Sequence, residues 1–509
     1  MLTEKDINQI KNHGVTIDKV VKQLEVFQRG IPPLEVITAA TVGNGIEVIP
    51  SETEDKLLAF YDEHKTKLEI IKFVPASGAA SRMFSFLHEF LQTFDPEEET
   101  LNSYLKEGDK SQLKIFCNAL KDFAFVNDVR RKIREIHPNY KTNKKGVRLK
   151  MFVETMLEEH GLNYKNLPKG LIPFHKYKKY YTTAFEEQLY EAAFYATANE
   201  DAYLHFTFSE EHVPYFKEEF EAVKNRVTKK TKTNFHISYS FQKKETDTIA
   251  VSENNTPFRD AQNNVVLRPS GHGALLDNLN DVDADVIFIK NIDNVVAEKY
   301  VEPTIRYKKI LAGKLLWIQK KVFKYLDILD AKEVSSEMLE EIKSFLWNEL
   351  NIKNISKDRI QLQYILKRPI RVCGVVKNTG APGGGPFWVK DDYGNTSLQI
   401  VETSQIDTTD LRQKNIISEA THFNPVDLVC GVRDRHGKKY DLNKFSDPEA
   451  GFIAHKSEDG KPLKALELPG LWNGAMAKWN TALVQVPLQT FNPVKTVNDL
   501  LELEHRPNE

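Results

Sequence analysis

A run of small residues near the start of the chain ends in an arginine. Residues 74–83 read Val-Pro-Ala-Ser-Gly-Ala-Ala-Ser-Arg-Met and follow a β-branched run at residues 68–74. Small side chains after a strand let backbone N–H groups approach a phosphate, and an arginine adds charge and a fork of donors. The residues available for such contacts are Ser77, Gly78, Ala79, Ala80, Ser81 and Arg82. An ordinary tight turn with a surface arginine explains the run equally well, and the Gly-Lys-Ser/Thr ending of a P-loop is absent.

A second run combines a glycine–histidine turn with a hydrophobic strand that ends near a carboxylate. Residues 268–275 read Arg-Pro-Ser-Gly-His-Gly-Ala-Leu, and residues 285–294 read Asp-Val-Ile-Phe-Ile-Lys-Asn-Ile-Asp-Asn. The glycines beside His272, of which Gly271 is the first, permit backbone contact with a planar base, and the imidazole can donate to a phosphate. Asp293 follows the strand at the end where α/β sheets bind ligands, and a carboxylate there suits Mg²⁺. Taken singly, each has a plainer explanation, as a turn histidine and a loop cap.

The last third of the chain holds further residues with binding chemistry. Gly384 and Gly385 belong to a glycine triplet, and backbone without side chains allows a ligand to approach closely. Glu402 can accept hydrogen bonds from hydroxyl groups, and Asn424 lies in a Thr-His-Phe-Asn-Pro segment. Lys495 ends a Pro-Val-Lys turn, where lysines are usually just exposed. Each of these residues also fits an ordinary turn or surface strand.

The composition excludes several classes of function. The 70 Lys and Arg residues nearly balance the 72 Asp and Glu residues, and the formal charge is -2. This balance predicts no nonspecific affinity for nucleic acid and no attraction to an anionic membrane, so any phosphate-binding charge must be local. The polar N-terminus and the lack of a long apolar window predict a soluble, cytoplasmic protein. The three separated cysteines, Cys117, Cys373 and Cys430, predict reduced core thiols.

The elements that must position these residues are short strands separated by helices. Strands are predicted at residues 68–74, 203–208, 234–242 and 284–290, and a Thr183 capping box opens a helix between the first two. Strand, helix and strand in this order predict an α/β fold with a mainly parallel sheet.

Changes in pattern along the chain predict four parts. They are an N-terminal helical region at 1–65, a nucleotide-binding α/β core at 66–304 with a charged helical insertion at about 84–166, a helical connector at 305–365 and a β-rich C-terminal lobe at 366–509. The connector contains an apolar stripe of Leu311, Leu315, Ile318, Val322 and Tyr325.

These blocks, taken in order, resemble the UDP-sugar pyrophosphorylases. The signature loop of sugar nucleotidyltransferases reads Gly-x-Gly-Thr-Arg-Met and is followed by Pro-Lys. Here Gly78, Ala80 and Ser81 occupy the first glycine, second glycine and threonine positions, Arg82 matches, and Lys169 completes a Pro-Lys element. The family also carries Pro-Gly-His-Gly, Asn-x-Asp-Asn and Val-Pro-x-x-x-Phe-x-Pro-Val-Lys elements. The sequence departs from the family pattern in Ala80 and in the long segment that separates the first two elements.

The resemblance implies a nucleotide-diphospho-sugar transferase fold and a role for each matching residue. Arg82 and Lys169 would contact the leaving pyrophosphate, Asp293 would hold Mg²⁺, and His272 and Lys495 would contact the sugar phosphate. Residues 77–81, Gln242, Gly271 and His272 would bind the nucleotide, with Gln242 on the uracil edge. The residues implied for sugar binding are Asn294, Gly384, Gly385, Glu402 and Asn424.

The implied reaction joins a nucleoside triphosphate, with UTP favoured, to a sugar 1-phosphate and releases pyrophosphate. A glycosyltransferase of related fold is one alternative, although the Pro-Lys and Val-Lys elements argue against it. A non-catalytic nucleotide- or sugar-binding protein is another, and Ala80 and the long insertion are consistent with it. No motif is assigned to residues 246–248 or 470–476, and Trp472 and Trp479 are interpreted as packing residues.

Overall fold

The computed structural model describes residues 2–508 except 77, 79, 357, 381, 382, 392, 393 and 459. The α-helices are α1 (Glu4–His13), α2 (Ile17–Arg29), α3 (Ser51–His64), α4 (Ser85–Thr93), α5 (Leu101–Tyr104), α6 (Ser111–Asn118), α7 (Val126–Ile136), α8 (Lys145–Leu157), α9 (Ala184–Tyr195), α10 (Val213–Thr231), α11 (Leu275–Asp281), α12 (Glu302–Leu329), α13 (Ser336–Leu350), α14 (Arg359–Leu366) and α15 (Leu411–Ser418). No helix in these ranges is long and apolar enough to cross a membrane.

The strands are β1 (Val36–Ala39), β2 (Thr41–Val42), β3 (Gly45–Glu47), β4 (Ile70–Pro75), β5 (Pro173–Lys176), β6 (Tyr181–Thr183), β7 (Thr197–Ala198), β8 (Asp201–Thr207), β9 (Asn234–Ser240), β10 (Thr248–Val251), β11 (Leu267–Arg268), β12 (Val286–Ile289), β13 (Ile370–Lys377), β14 (Gly385–Lys390), β15 (Thr396–Val401), β16 (His422–Phe423), β17 (Leu428–Gly431), β18 (Phe452–Glu458), β19 (Lys461–Glu467) and β20 (Asn480–Gln485).

The chain divides into two compact units, each built from separated segments. The first unit comprises Met1–Phe73, Ser240–Ile289 and Arg306–Leu488, and the second comprises Val74–Tyr239, Lys290–Ile305 and Gln489–Glu509. The core predicted at residues 66–304 therefore contributes to both units, whereas the insertion at 84–166 lies within the second.

A mainly parallel sheet forms the centre of the first unit. Its strand order is β2-β3-β20-β13-β17-β12-β4, with residues 70–73 of β4 at the end. The pairs β2–β3, β3–β20, β20–β13 and β12–β4 are parallel, and β17 alone in this order runs antiparallel to its neighbours. The predicted α/β class with a mainly parallel sheet is confirmed.

Helices and smaller sheets complete the first unit. The predicted apolar stripe of α12 is buried along its length, from Leu311 to Tyr325. Sheets β1-β14-β15 and β11-β10-β19-β18 are antiparallel, and α1 and α2 contribute Ile10, Val20 and Phe27 to a core shared with β10. Cys373 and Cys430 are buried free thiols, as predicted, and burial raises the pKa of Cys373 to about 11.

The second unit contains the helices of the insertion and the pair α9 and α10. Aromatic side chains pack together inside the insertion. For example, the rings of Phe90 and Phe94 stack with their centroids 5.1 Å apart. Thr183 caps α9 as predicted, with its hydroxyl accepting from the Glu186 N–H at 3.1 Å. The carboxylate of Glu186, however, is engaged by Arg226 Nε and Nη2 at 2.8 and 2.6 Å. The Glu186 side chain, which would complete a capping box, is thus engaged in an ion pair with Arg226 of α10.

A buried chain of hydrogen bonds anchors the C-terminal segment within the second unit. His505 Nδ1 lies 2.9 Å from His175 Nε2, and His175 Nδ1 lies 2.7 Å from Glu187 Oε1. All three side chains are buried. Burial and the neighbouring His175 lower the pKa of His505 to about 3, so this imidazole is neutral in the folded protein.

We expect this histidine to make stability fall in acid. Below its ordinary pKa of about 6.5 the unfolded chain protonates His505 while the folded chain does not, so the unfolded state binds more protons. The free energy of unfolding should therefore fall by up to about 1.4 kcal/mol per pH unit between pH 6.5 and 3. Urea titrations of wild type and His505→Gln across this range measure the effect. An unchanged slope in the variant would contradict it.

Candidate functional site

The loop that starts at Gly78 is held beside the Pro-Lys element of the second unit. Backbone N–H of Ala80 donates to Leu167 O at 3.0 Å, and the Lys169 N–H donates to Gly78 O at 3.3 Å. Two elements far apart in sequence are thus adjacent in space. Ala80 is buried, whereas Ser81 and Arg82 are exposed. Ser77 and Ala79, also predicted to bind nucleotide, lie outside the described residues.

Lys169, Asp293 and Lys495 form a lysine–aspartate–lysine cluster in the second unit. Lys169 Nζ lies 2.9 Å and Lys495 Nζ 3.3 Å from the same oxygen, Asp293 Oδ2. Lys169 also donates to Val494 O at 2.5 Å. The Lys169 and Asp293 side chains are only 13% and 9% exposed, whereas Lys495 is 61% exposed. Three residues predicted from three separate motifs therefore meet at one carboxylate.

Backbone pairing sets this cluster in place. Val494 N–H donates to Asp293 O at 3.1 Å, and the Asn492 N–H donates to Asn294 Oδ1 at 2.9 Å. Gln188 of α9 donates from Nε2 to Asn291 O at 2.9 Å. Asn294, predicted to contact sugar, is buried and engaged with this backbone. Hydrogen bonds consequently hold the Asn-Ile-Asp-Asn and Pro-Val-Lys segments side by side.

The charge on Asp293 is stabilised despite its burial. Burial raises the pKa of this carboxyl, but the charges and hydrogen bonds of Lys169 and Lys495 outweigh it and lower the pKa below its usual value. Within the described ranges no three His, Cys, Asp or Glu residues cluster as metal ligands. Mg²⁺ commonly takes one or two carboxylates together with phosphate oxygens. Both lysines contact Oδ2, and a carboxylate is one of the oxygen ligands that this ion takes.

A second cluster lies in the first unit around the Gly271–His272 turn. Gly271 has φ +78°, a left-handed backbone conformation that favours glycine. Leu471 N–H donates to His272 Nδ1 at 3.1 Å, and the His272 ring stacks on Trp472 with centroids 4.2 Å apart.

Glu402 faces the other side of His272. Glu402 Oε1 lies 3.7 Å from His272 Nε2, and Asn473 Nδ2 donates to the same oxygen at 2.5 Å. Glu402 N–H donates to Gln405 Oε1 at 2.9 Å within a capping box, which fixes the backbone of this residue. His272 lowers the pKa of Glu402 against the opposing effect of burial, so the carboxylate is ionised at neutral pH. We refer to His272, Glu402, Trp472 and Asn473 as the imidazole–carboxylate cluster.

The fully buried Arg371 forms hydrogen bonds with the backbone of this cluster and with residues beside it. Arg371 donates from Nη1 to Trp472 O at 2.7 Å, and from Nη2 to Gln399 Oε1 at 3.1 Å. Its Nε donates to Thr481 Oγ1 at 2.9 Å. These donors fix the backbone of Trp472 relative to β13, which carries Arg371.

Other predicted residues of the first unit contact backbone groups or residues outside this cluster, and Gly384 also lies beside Asn473. Gln242 follows β9 and its Nε2 lies 3.4 Å from Asp247 Oδ1. Asn424 is buried, with Nδ2 donating to Gly374 O at 2.7 Å and Oδ1 accepting from Val426 N–H at 3.1 Å. Gly384 O accepts from the Asn424 N–H at 3.0 Å, and Gly385 begins β14. The binding roles of these residues stay predictions.

The sequence interpretation gave Trp472 a packing role only and missed Asn473 and Arg371. Trp479 is buried in the core and Trp472 packs against the same core, both as expected, and Trp472 also stacks on His272. The available signal was the run Gly-Leu-Trp-Asn-Gly-Ala-Met at 470–476, a conspicuous segment that matched no assigned motif.

Residues 3–506 match the family described as "Domain of unknown function (DUF4301)", and the chain belongs to this family. No protein with a curated description matches it in sequence.

Solved structures similar to this chain include UDP-sugar pyrophosphorylases, the family that the sequence motifs resemble. A mutant UDP-glucose pyrophosphorylase from Leishmania major, in complex with UDP-glucose, has 13% identity and a TM-score of 0.45. The uridine diphosphate N-acetylglucosamine pyrophosphorylase from Trypanosoma brucei, in complex with inhibitor, has 11% identity and a TM-score of 0.48. In both comparisons the match covers 98% of this chain and 79% of the other.

Proposed function

We propose that the protein is a sugar-1-phosphate nucleotidyltransferase. It would join a nucleoside triphosphate, with UTP favoured, to a sugar 1-phosphate and release pyrophosphate. A phosphate oxygen of the sugar phosphate attacks the α-phosphorus, a new P–O bond forms, and the bond to the bridging α,β-oxygen breaks. The leaving pyrophosphate carries away the electron pair of that bond. Such a reaction depends on positioning and charge neutralisation more than on covalent help.

The lysine–aspartate–lysine cluster carries the proposal. An ammonium has three donors, and Lys169 uses two of them on Asp293 and Val494, so one is available for a phosphate oxygen. Lys495 and Arg82 are exposed and extend cationic groups to solvent. Lys169 and Arg82 would contact the leaving pyrophosphate, and Lys495 the sugar phosphate.

Asp293 would hold Mg²⁺, which when bound neutralises phosphate charge. In the first unit, Glu402 supplies an acceptor for sugar hydroxyl groups, and Gly271 and Gln242 are the candidates for contact with the base. These assignments rest on the motif resemblance together with the geometry of each cluster.

The first test measures pyrophosphate release with Mg²⁺ across the four nucleoside triphosphates and a panel of hexose and hexosamine 1-phosphates. We expect release with one particular pair and none when either substrate is omitted. Nucleotide binding without release from any pair would contradict the proposal and favour a binding protein. Sugar transfer from a nucleotide sugar would instead identify a glycosyltransferase.

Replacing Arg82 separates an enzyme from a binding protein. In an enzyme, Arg82→Ala should lower kcat by about 100-fold, because a cation that stabilises transition-state charge is lost. In a binding protein it should weaken nucleotide affinity by only about tenfold. Arg131→Ala is the matched control, since Arg131 is also an exposed arginine of the second unit, with a side chain 68% exposed. Unchanged turnover in Arg82→Ala would contradict the phosphate assignment.

A further inference from the structure

Lys495 lies between two anchors of the C-terminal segment. Upstream, the Val494 N–H donates to Asp293 O at 3.1 Å. Downstream, the Lys495 N–H donates at 2.6 Å to Oδ2 of Asp499, which belongs to the 3₁₀ turn Val497–Leu501. The Lys495 side chain itself is 61% exposed. The place of its ammonium group therefore depends on how firmly these two anchors hold the backbone.

One side chain of this turn reaches the helical insertion. Asn498 Nδ2 donates to the backbone oxygen of Gln112 in α6 at 2.9 Å and to its Oε1 at 2.6 Å. A backbone carbonyl only accepts hydrogen bonds, so the donor end of the Asn498 amide must face Gln112. Asn498 is 8% exposed, and its neighbour Val497 is fully buried. The turn behind Lys495 is thus docked on the insertion by a polar contact of fixed direction.

Helix α6 is fixed in turn to the helix that follows the arginine loop. The rings of Phe116 in α6 and Phe86 in α4 meet edge to face, with their centroids 6.2 Å apart. Leu113 and Phe116 of α6 are buried. Helix α4 begins at Ser85, shortly after Arg82. The insertion therefore links the loop of one proposed phosphate-binding residue to the turn behind another.

We propose that the helical insertion positions Lys495, with Asn498 and Gln112 as the positioning residues. The inference rests on the proposed function, which assigns Lys495 to the phosphate of the sugar 1-phosphate. Both positioning residues act on the backbone turn behind Lys495 and not on the substrate. The insertion is then required for substrate binding, whereas the sequence alone also allowed it to mark a loss of activity.

Loss of this contact should affect one substrate more than the other. Lys169, on the pyrophosphate side, is held by Asp293 and by Val494 O, both of which lie outside the docked turn. Release of the turn lets the Lys495 ammonium occupy more positions, and ordering it on a phosphate then costs conformational entropy. The expected result is a higher KM for the sugar 1-phosphate and a nearly unchanged KM for the nucleoside triphosphate.

Asn498→Leu removes the donor and keeps a side chain of similar volume. We expect the KM for the sugar 1-phosphate to rise by about tenfold, and the KM for the nucleoside triphosphate to change by less than about twofold. Asn143→Leu is the matched control, since Asn143 also donates to a backbone oxygen, Asn139 O at 2.9 Å, but within the insertion. Equal rises in both KM values of Asn498→Leu, or no rise in either, would overturn the inference.

Changes at Gln112 keep the test independent of folding, because Gln112 is exposed on α6. Gln112→Ala removes one of the two acceptors and should raise the KM for the sugar 1-phosphate by about threefold. Gln112→Glu keeps an acceptor at this position and should retain the wild-type KM. In the Asn498→Leu background Gln112→Ala should have no further effect, because the Gln112 side chain acts through Asn498. Additive effects of the two changes would overturn the assignment of Gln112.

Hydrogen exchange of the intact protein reports the docking without turnover. Amides of residues 494–501 should exchange about tenfold faster in Asn498→Leu than in wild type, and at the wild-type rate in Gln112→Glu and Asn143→Leu. Unchanged exchange in Asn498→Leu would overturn the inference whatever the kinetics show.

The two proposals fail in distinguishable ways. Pyrophosphate release by wild type, with the same KM values in Asn498→Leu, would leave the proposed function standing and overturn this inference. Faster exchange in Asn498→Leu, without pyrophosphate release by wild type from any substrate pair, would overturn the proposed function and leave the docking of the turn standing.

Discussion

Asp293→Asn should lower the rate of pyrophosphate release by about 100-fold or more while leaving the protein folded. The amide keeps the size of the carboxylate but removes its charge, so the candidate metal ligand is weakened and both lysines lose their common partner. Because Lys169 is largely buried, the free energy of unfolding should also fall, by about 3 kcal/mol. Steady-state kinetics and urea titration measure the two effects separately.

The chain contains a matched control for this substitution. Asp62 also pairs with two lysines, Lys65 at 2.8 Å and Lys309 at 3.2 Å, but its side chain is 41% exposed. Asp62→Asn should cost less than about 1 kcal/mol and leave turnover unchanged. Equal losses of activity in both variants would remove Asp293 from the proposed site.

Lys290→Met should produce the largest loss of stability that we predict. Lys290 Nζ pairs with Glu191 Oε1 at 2.7 Å, and both side chains are only 2% exposed. Removing the lysine takes away one cationic partner of the buried Glu191 carboxylate. The free energy of unfolding should fall by about 3–5 kcal/mol, measured by chemical denaturation.

Two further variants separate charge from packing at this position. Lys290→Met combined with Glu191→Leu should recover most of the lost stability, because the pair is then replaced by apolar side chains of similar volume. Lys224→Met breaks an exposed pair with Glu221 and should cost less than about 1 kcal/mol. A double variant no more stable than Lys290→Met would show that shape, and not the loss of the charge pair, dominates at this position.

The residues of the lysine–aspartate–lysine cluster were predictable because each sits in a short motif. Lys169, Asp293 and Lys495 were each assigned to phosphate or metal chemistry through their match to motifs of the resembled family. The convergence of both lysines on one carboxylate oxygen was not predictable from the sequence. The distances from the two lysines to Asp293 depend on backbone pairing between Asn291–Asn294 and the segment before Lys495. The imidazole–carboxylate cluster shows the opposite case. His272 and Glu402 were found by motif, but Arg371 acts through Trp472 and Gln399, and local sequence contains no signal for such contacts.

The strand patterns predicted the α/β class, but they did not predict the direction in which every strand runs in the sheet. The β-branched runs at β4 and β12 predicted buried parallel strands, and these two strands pair in parallel. The antiparallel β17 between β12 and β13 has no distinguishing pattern, because a strand buried on both faces reads alike in either direction. Glu186 illustrates competition between local and tertiary contacts, since Arg226 takes its carboxylate from the capping box.

The geometry of the Gly78–Lys169 contact does not depend on the number of residues between positions 84 and 166. The chain leaves and returns at hydrogen-bonded neighbours, so the span between its ends stays fixed however many residues are inserted. The closure entropy of a flexible loop rises by only about 0.6 kcal/mol for each doubling of its length. Flexible residues can therefore be added within this segment at little thermodynamic cost, while the residues on either side stay under the separate constraint of their mutual register.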